Sequence, residues 1–395
     1  LELGFNYGKF TLLWFGNVHD FVCVGKVMEE SEHRCIRSDE SGLTAVIEFL
    51  SAFTLFLMIL TAFMSLAQLE MGSNDTEIDQ VDQATVSALD YLVGGPGWYV
   101  PAMDNGDLDH SNATSDWDSM SAEDLQTGRV QTGLVVSGEL DENRLNALSN
   151  VTLESFSDGL GLAEDLSAYL HISVQTSSNN SRVGQVLFEG GSDINSARMA
   201  STASSIVRMS GEIVTVTLQV HDAGRQSENL LVTEVMVRPV SGGPEWIEIY
   251  NDNSFATSLY GWSLNVTSPS SSNNVLFQTG VISGQSVALF TGSISSQVIG
   301  NASQVIDLGT YGILGTGSMN LLDDGSSTIE LRFTRPGQTK PLPNSRAEWG
   351  GQTGLLLGLN NALVWDGGNT LNSDAWSVNQ VSTPGEVPSS VTNAS

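Results

Sequence analysis

The chain has 395 residues, with 45 Asp and Glu against 15 Lys and Arg, for a formal charge of −30 at pH 7. Nucleic acid is gripped through basic surfaces that release counterions, so this charge argues against direct nucleic-acid binding and for an acidic, highly soluble surface. The length leaves room for about two or three domains with real cores, and the only cysteines, Cys23 and Cys35, lie near the start.

Everything after residue 35 therefore holds by packing, which large exported domains manage without disulfides. Met28 opens "MEESEHRC", so residues 1–27 read either as upstream read-through or as the tail of a truncated fragment, and 1–44 as a short cytoplasmic segment. The run "FLSAFTLFLMILTAFMSLAQL" (49–69) has no charge, glycine or proline. At about 1.5 Å per residue it crosses the roughly 30 Å hydrocarbon core, which makes 45–71 a transmembrane helix. A cleaved secretory signal is the rival, but "SLAQLEMG" is a poor cleavage site. Arg34 and Arg37 precede the span and Glu70, Asp75, Glu77, Asp79 and Asp82 follow it, which puts the N-terminus in the cytoplasm and the remainder outside. All seven N-x-S/T sequons (Asn74, Asn112, Asn150, Asn179, Asn265, Asn301, Asn393) follow the span, which is compatible with export.

Residues 72–222 form the next region. "DENRLNAL" places Leu145 and Leu148 at helical spacing, and "SNVTLESFSDGLG" reads as a serine-capped helix with a glycine stop. In "IVRMSGEIVTVTLQVHD" (206–222), Val214, Val216, Leu218 and Val220 alternate with Thr215, Thr217 and Gln219. That run predicts a half-buried strand, paired with 206–209 through Ser210-Gly211. The polar stretch 176–205 reads as a long surface loop. Glu48 in "GLTAVIEFL", together with "ALDYLVGGPGWYVP" (88–101), "GELDENRLNALSNVTLESFSDGLGL" (138–162) and "LHISVQ" (170–175), resembles archaeal membrane-anchored pilin-like proteins. The resemblance implies a smaller α+β region behind the helix. No Lys-Gly or Arg-Gly processing site directly precedes the apolar run, which leaves filament assembly open. Glu48 also reads simply as an interfacial residue.

After the polar boundary at 221–229, short apolar runs recur with turn signals: "LLVTEVMV", "EWIEIYN", "YGWSLNV", "NNVLFQ", "SVALFTG", "MNLLD" and "TIELRFT". This spacing predicts an antiparallel sandwich of about seven strands. In "WIEIYN", Ile247 and Ile249 share one face, and Trp246, Glu248 and Tyr250 the other. Residues 228–388 resemble the lamin-tail domain, an immunoglobulin-like sandwich, through Thr233-Glu234-Val235, Trp246 to Asn251, Leu259-x-Gly261-Trp262-x-Leu264, Gly284-Gln285-x-Val287, Leu321-Leu322-x-Asp324-Gly325 and the closing Thr383-Pro384-Gly385. The resemblance makes Glu234, Trp246, Glu248, Asn251, Gly261 and Trp262 the structural motif residues. Residues 335–376 are longer and richer in glycine than the resemblance leads one to expect, and 389–395 read as a disordered tail. The fold expected is thus mainly β: an immunoglobulin-like antiparallel β-sandwich, preceded by a transmembrane helix and a smaller α+β region.

No catalytic constellation stands out. His19, His33, His110, His171 and His221 are isolated, and there is no G-x-S-x-G elbow or phosphate-binding loop. "DNGDLDH" spaces Asp104, Asp107 and Asp109 like a short calcium loop but lacks the distant bidentate Glu, so it reads as a solvated acidic loop. "LLDDGSS" (321–327) reads as a turn. No cofactor and no metal site are expected. The function expected is non-enzymatic: a single-pass cell-surface protein displaying a lamin-tail domain for adhesion, recognition or envelope organisation, with an unidentified protein or glycan as partner. The alternatives are an accessory or degenerate component of an extracellular hydrolase or nuclease system, and a pilin-like filament subunit. For Glu248, between two aromatics, a fold role is favoured over a catalytic one.

Overall fold

The computed structural model describes residues 40–225, 229–239, 243–293, 302–315, 322, 325–335, 338–387 and 391. Residues 1–39 with both cysteines and Arg34 and Arg37, boundary residues 226–228, Leu321, Asp324 and most of the 389–395 tail lie outside the described residues. The chain divides into two compact units, Leu1–Leu69 and Glu70–Ser395.

Helix α1 (Glu40–Val93) runs 54 residues without a break. The expected span is therefore part of a longer helix: no proline intervenes until Pro96, and the weak helix formers of 72–76 are carried between stronger ones on either side. Thr44–Ala67 has a mean hydropathy of 2.2 and is long and apolar enough to cross a membrane, and none of its most apolar window is buried. Among the described residues this stretch enters no core. Glu48 is exposed within it. The last turns of α1 change character: Val81, Thr85, Ala88, Leu89 and Leu92 recur at helical spacing and are buried.

The same core takes in β1 (Gly97–Val100), α2 (Ala122–Thr127), β2 (Arg129–Thr132), β4 (Glu139–Leu140), α3 (Glu142–Ala147), α4 (Leu153–Gly159), β5 (Ser167–Thr176), β6 (Val186–Gly191), β7 (Ala200–Met209) and β8 (Glu212–His221), while β3 (Val135–Val136) pairs with β4. Asp141 caps α3. The cap of α4 is Thr152, whose hydroxyl accepts from Ser155 N, rather than the expected serine. Strands β3 to β8 form one sheet in the order β3-β4-β7-β8-β5-β6. The β7/β8 hairpin turns at Ser210 and Gly211, both with positive φ, as the Ser-Gly pair predicts. Val214, Val216, Leu218 and Val220 all face the core. The stretch read as a surface loop differs: it contains β6 and most of β7. Ser, Thr and Ala alternate too weakly in "ASTASS" to signal a strand, and the ladder with β8 imposes it.

The C-terminal region comprises β9 (Leu230–Met236), β10 (Trp246–Asn251), β11 (Thr257–Ser258), β12 (Trp262–Thr267), β13 (Ser272–Leu276), β14 (Val281–Ile282), β15 (Val287–Thr291), β16 (Gln304–Asp307), β17 (Ser326–Phe333), β18 (Leu342–Gly350), β19 (Ala362–Trp365) and β20 (Trp376–Asn379). This exceeds the seven expected strands, and the glycine-rich stretch 335–376 supplies β18 and β19. The main sheets run β16-β15-β10-β9-β19-β20 and β13-β12-β17-β18, with β11 and β14 as a separate pair. Only β15 and β16 run parallel among these pairs. One cluster of buried side chains draws on both main sheets, with Ile247, Ile249, Trp262, Leu264, Phe290, Leu331, Trp349 and Leu363 among its members.

The two regions meet through the loop after β10. Phe255 is buried among the side chains of the preceding region, 4.8 Å from Phe156 and 5.1 Å from Phe188 between ring centroids. Backbone bonds from Ala256 N to Val151 O (2.9 Å) and Gly284 N to Ser149 O (2.6 Å) flank it.

Candidate functional site

Strand β10 sits in the middle of its sheet, between β9 and β15, and all six of its side chains are buried. Alternation distributes them over two covered faces: Ile247 and Ile249 enter the cluster shared by the two main sheets, while Trp246 packs with Met236, Leu289 and Ala362. Tyr250 on the second face donates its hydroxyl to Gln285 Oε1 (2.5 Å). A glutamate in such a strand has to be matched by donors, because a buried charged or polar group without partners is costly.

Glu248 meets that demand. It lies directly opposite Glu234 on β9, and the ladder shifts register just beyond, with Ile249 opposite Val232. The extra residue, Thr233, gives its hydroxyl to Glu248 Oε1 (2.7 Å), and Gly385 N donates to Oε2 (2.8 Å). Glu234 accepts from Thr383 N (3.1 and 3.2 Å) and from the Thr383 hydroxyl (3.0 Å). The closing Thr-Pro-Gly is thus fastened by two carboxylates on neighbouring strands. Burial is the main cause that pushes Glu248 up to about 8, partly offset by the Thr233 and Gly385 bonds and reinforced by Glu234 and Glu386. Burial likewise raises Glu234 to about 7 against the opposing bonds from Thr383.

A third carboxylate escaped the sequence reading. Glu245, fully buried, accepts from Gly315 N (2.6 Å) and from Leu322 N (3.1 and 3.2 Å). Its position in "PEWIEIYN" was the only available signal; its acceptors' partners lie about 70 residues away, where no local pattern reveals them.

The remaining motif residues serve geometry. Asn251 Nδ2 donates to the carbonyls of Phe255, Ile282 and Ser283 (3.0, 2.9 and 3.1 Å), and its Oδ1 accepts from Asn253 N and the Thr257 hydroxyl (3.1 Å each). That network shapes the loop that presents Phe255. Gly261 has φ +83°, and the residue after it, Trp262, lies fully buried, 4.9 Å from the Phe333 ring. The structure brings Glu234 and Glu248 together, and sets Trp262 in the shared cluster, apart from Trp246 and its neighbours.

Carboxylates with values near 7 and 8 have the titration range of general acids and bases. Here Glu234 and Glu248 are 2 % and 1 % exposed, and all four oxygens are engaged by the chain itself. A buried Ser192–His221 contact (3.2 Å) is likewise unsuited to nucleophilic work. Ala223 N donates to His221 Nδ1 (3.2 Å), which leaves the proton on Nε2, the nitrogen facing the serine, where a base would have to be free. Asp109 in the "DNGDLDH" loop binds Ser111 and Asn112, and Asp107 binds Asn105. Among the described residues no three His, Cys, Asp or Glu side chains group in a way that could hold a metal ion.

No protein-family model matches the chain, and no curated protein matches it. Among solved structures it is similar to a DUF4876 family protein from Bacteroides thetaiotaomicron, at 11 % identity and a TM-score of 0.23, covering 45 % of this chain and 65 % of that one. The chain spans just under two thirds of that structure's length, and a likeness this distant carries no argument about fold or function.

Proposed function

We propose that the protein is a non-enzymatic, single-pass cell-surface protein whose C-terminal region is an immunoglobulin-like sandwich of the lamin-tail type, displayed outside the membrane for adhesion, recognition or envelope organisation. The observation that carries this reading is the use made of its most unusual side chains: Glu234 and Glu248 hold the closing Thr383–Gly385 segment and are sealed from solvent. A pair spent on the fold is not available to a substrate. The exposed apolar stretch Thr44–Ala67 supplies the anchor. The charge of −30 suits a surface facing an aqueous, salty exterior and disfavours nucleic acid as ligand.

The test combines topology with capture. Protease added to intact cells digests the region beyond residue 70 if it lies outside; full protection overturns the topology. Affinity capture with the membrane-extracted full chain then returns a surface protein or glycan. Metal-dependent hydrolysis by the same preparation would refute the non-enzymatic reading.

A further inference from the structure

We infer that the outer edge of β7 is the seam through which two copies of this chain join, antiparallel, into one continuous sheet. β7 pairs with β8 at all ten positions without a register shift. On its other side, among the described residues, it meets only β4, at the single pair Glu139–Arg208. The edge along 200–206 therefore presents unpaired backbone groups, the standard template for strand addition.

The opposite edge of the same sheet is treated differently. β6 is short, its ladder with β5 is bulged at Ile172/Ser173, and the 254–255 loop covers it: the Ser254 hydroxyl binds Glu189 O, and Phe255 packs on Phe188. β7 has none of these protections. It carries no proline, no lysine and no bulge, and Ile206 stands 67 % exposed on it.

Charge selects the occupant. Two chains of −30 repel each other over most of their surfaces, yet residues 194–211 contain no carboxylate. The edge is thus a place where like copies approach without that penalty. Keeping each side chain on its own face requires paired residue numbers of equal parity. Pairing about Ala203 sets 200 against 206, 201 against 205 and 202 against 204, which is clear of β4. Small Ser, Thr and Ala side chains fill this seam, and Ile206 gains Ala200 of the second copy as a neighbour. Arg198, which comes nearest the copy's Arg208, is already paired with Asp222 (3.1 Å). A two-fold, self-complementary contact of this kind closes as a dimer.

The experiment uses the full chain in its native membrane, with Cys23→Ser and Cys35→Ser. Opposed strand residues lie about 4.5–5.5 Å apart between Cα atoms, within disulfide reach. Ala203→Cys is expected to give a disulfide-linked dimer on mild oxidation, while Asn273→Cys on exposed β13 stays monomeric. Co-expressed Thr202→Cys and Ser204→Cys chains, altered only on the outward face, report the same register if Ala203→Cys folds poorly. Adding Thr202→Lys and Ser204→Lys to the Ala203→Cys chain should lower its cross-linking about tenfold, by charging both sides of the seam. Monomer throughout, cross-linking indifferent to the lysines, or capture of a different protein in place of a second copy would each overturn the inference.

Discussion

Glu234 and Glu248 face each other across β9 and β10, and each holds one end of the same three-residue segment, Thr383 and Gly385 respectively. Truncating Glu248 to alanine strands the Gly385 amide and the Thr233 hydroxyl. The expected cost is about 1–3 kcal/mol, read as a melting temperature several degrees lower with the far-ultraviolet spectrum unchanged. An unchanged melt together with lost binding or activity would instead make Glu248 functional.

The same pair fixes the sign of a pH dependence. Both folded values, about 7 and about 8, lie above the ordinary 4.5, so the folded protein retains protons that the unfolded chain has released. This contribution is fully present below pH 4.5 and is lost as pH rises through about 7 and 8. Melting temperatures should fall between pH 6.5 and 9, and Glu248→Gln, which is neutral at every pH, should flatten the slope. A rise over that interval would contradict the assignment.

His221 gives the opposite slope on the acid side. Burial lowers its value below 6.5, so the stability it secures is present above 6.5 and drains away as pH falls. His221→Gln should remove part of the acid-side loss between pH 6.5 and 5 in a melting series. An unaltered loss would place its source elsewhere.

Phe255→Ala removes a ring shared with Phe156 and Phe188 and should cost about 3–5 kcal/mol. Because Phe255 extends from the C-terminal region into the core of the preceding one, calorimetry should resolve two melting steps where the parent shows one. One step at an unchanged temperature would mean that the loop is not a coupling element.

Gly261→Ala should cost about 1–2 kcal/mol from its left-handed φ alone, since a Cβ there meets Phe333 and Thr334 no closer than 3.5 Å. Gly261→Asn, which tolerates this region better, should recover part of the loss in a denaturant titration.

The parts of this fold legible in the sequence are those written in local periodicity. The valine and leucine alternation of β8 and the Ser-Gly turn before it identify a hairpin correctly, and the uncharged run after Glu48 marks the exposed apolar helix. The polar first half of β7 was invisible because neither face is strongly apolar and its partner supplies the ladder. The donors for Glu245 and the closure of Thr383 on Glu234 were hidden for another reason: the partners are far apart in sequence and belong to loops. The alternation in β10 set Trp246 and Glu248 on one face and the two isoleucines on the other, but it held no sign that Trp262 packs apart from them, since Trp262 comes from the other main sheet.

Glu248 and its partner Gly385 are separated by 137 positions in the chain, and Glu234 and Thr383 by 149. At synthesis rates of about 5–20 residues per second, roughly 7–30 seconds pass between the appearance of these acids and that of the amides they hold. Throughout that interval β9 and β10 carry carboxylates that resist burial in ionised form, so the central strands of the sheet are kept hydrated until residues 383–385 arrive. Assembly of this region is thereby tied to the emergence of residues 383–385, and a nascent chain halted before residue 383 displays an unfinished sheet to any chaperone or protease that surveys it.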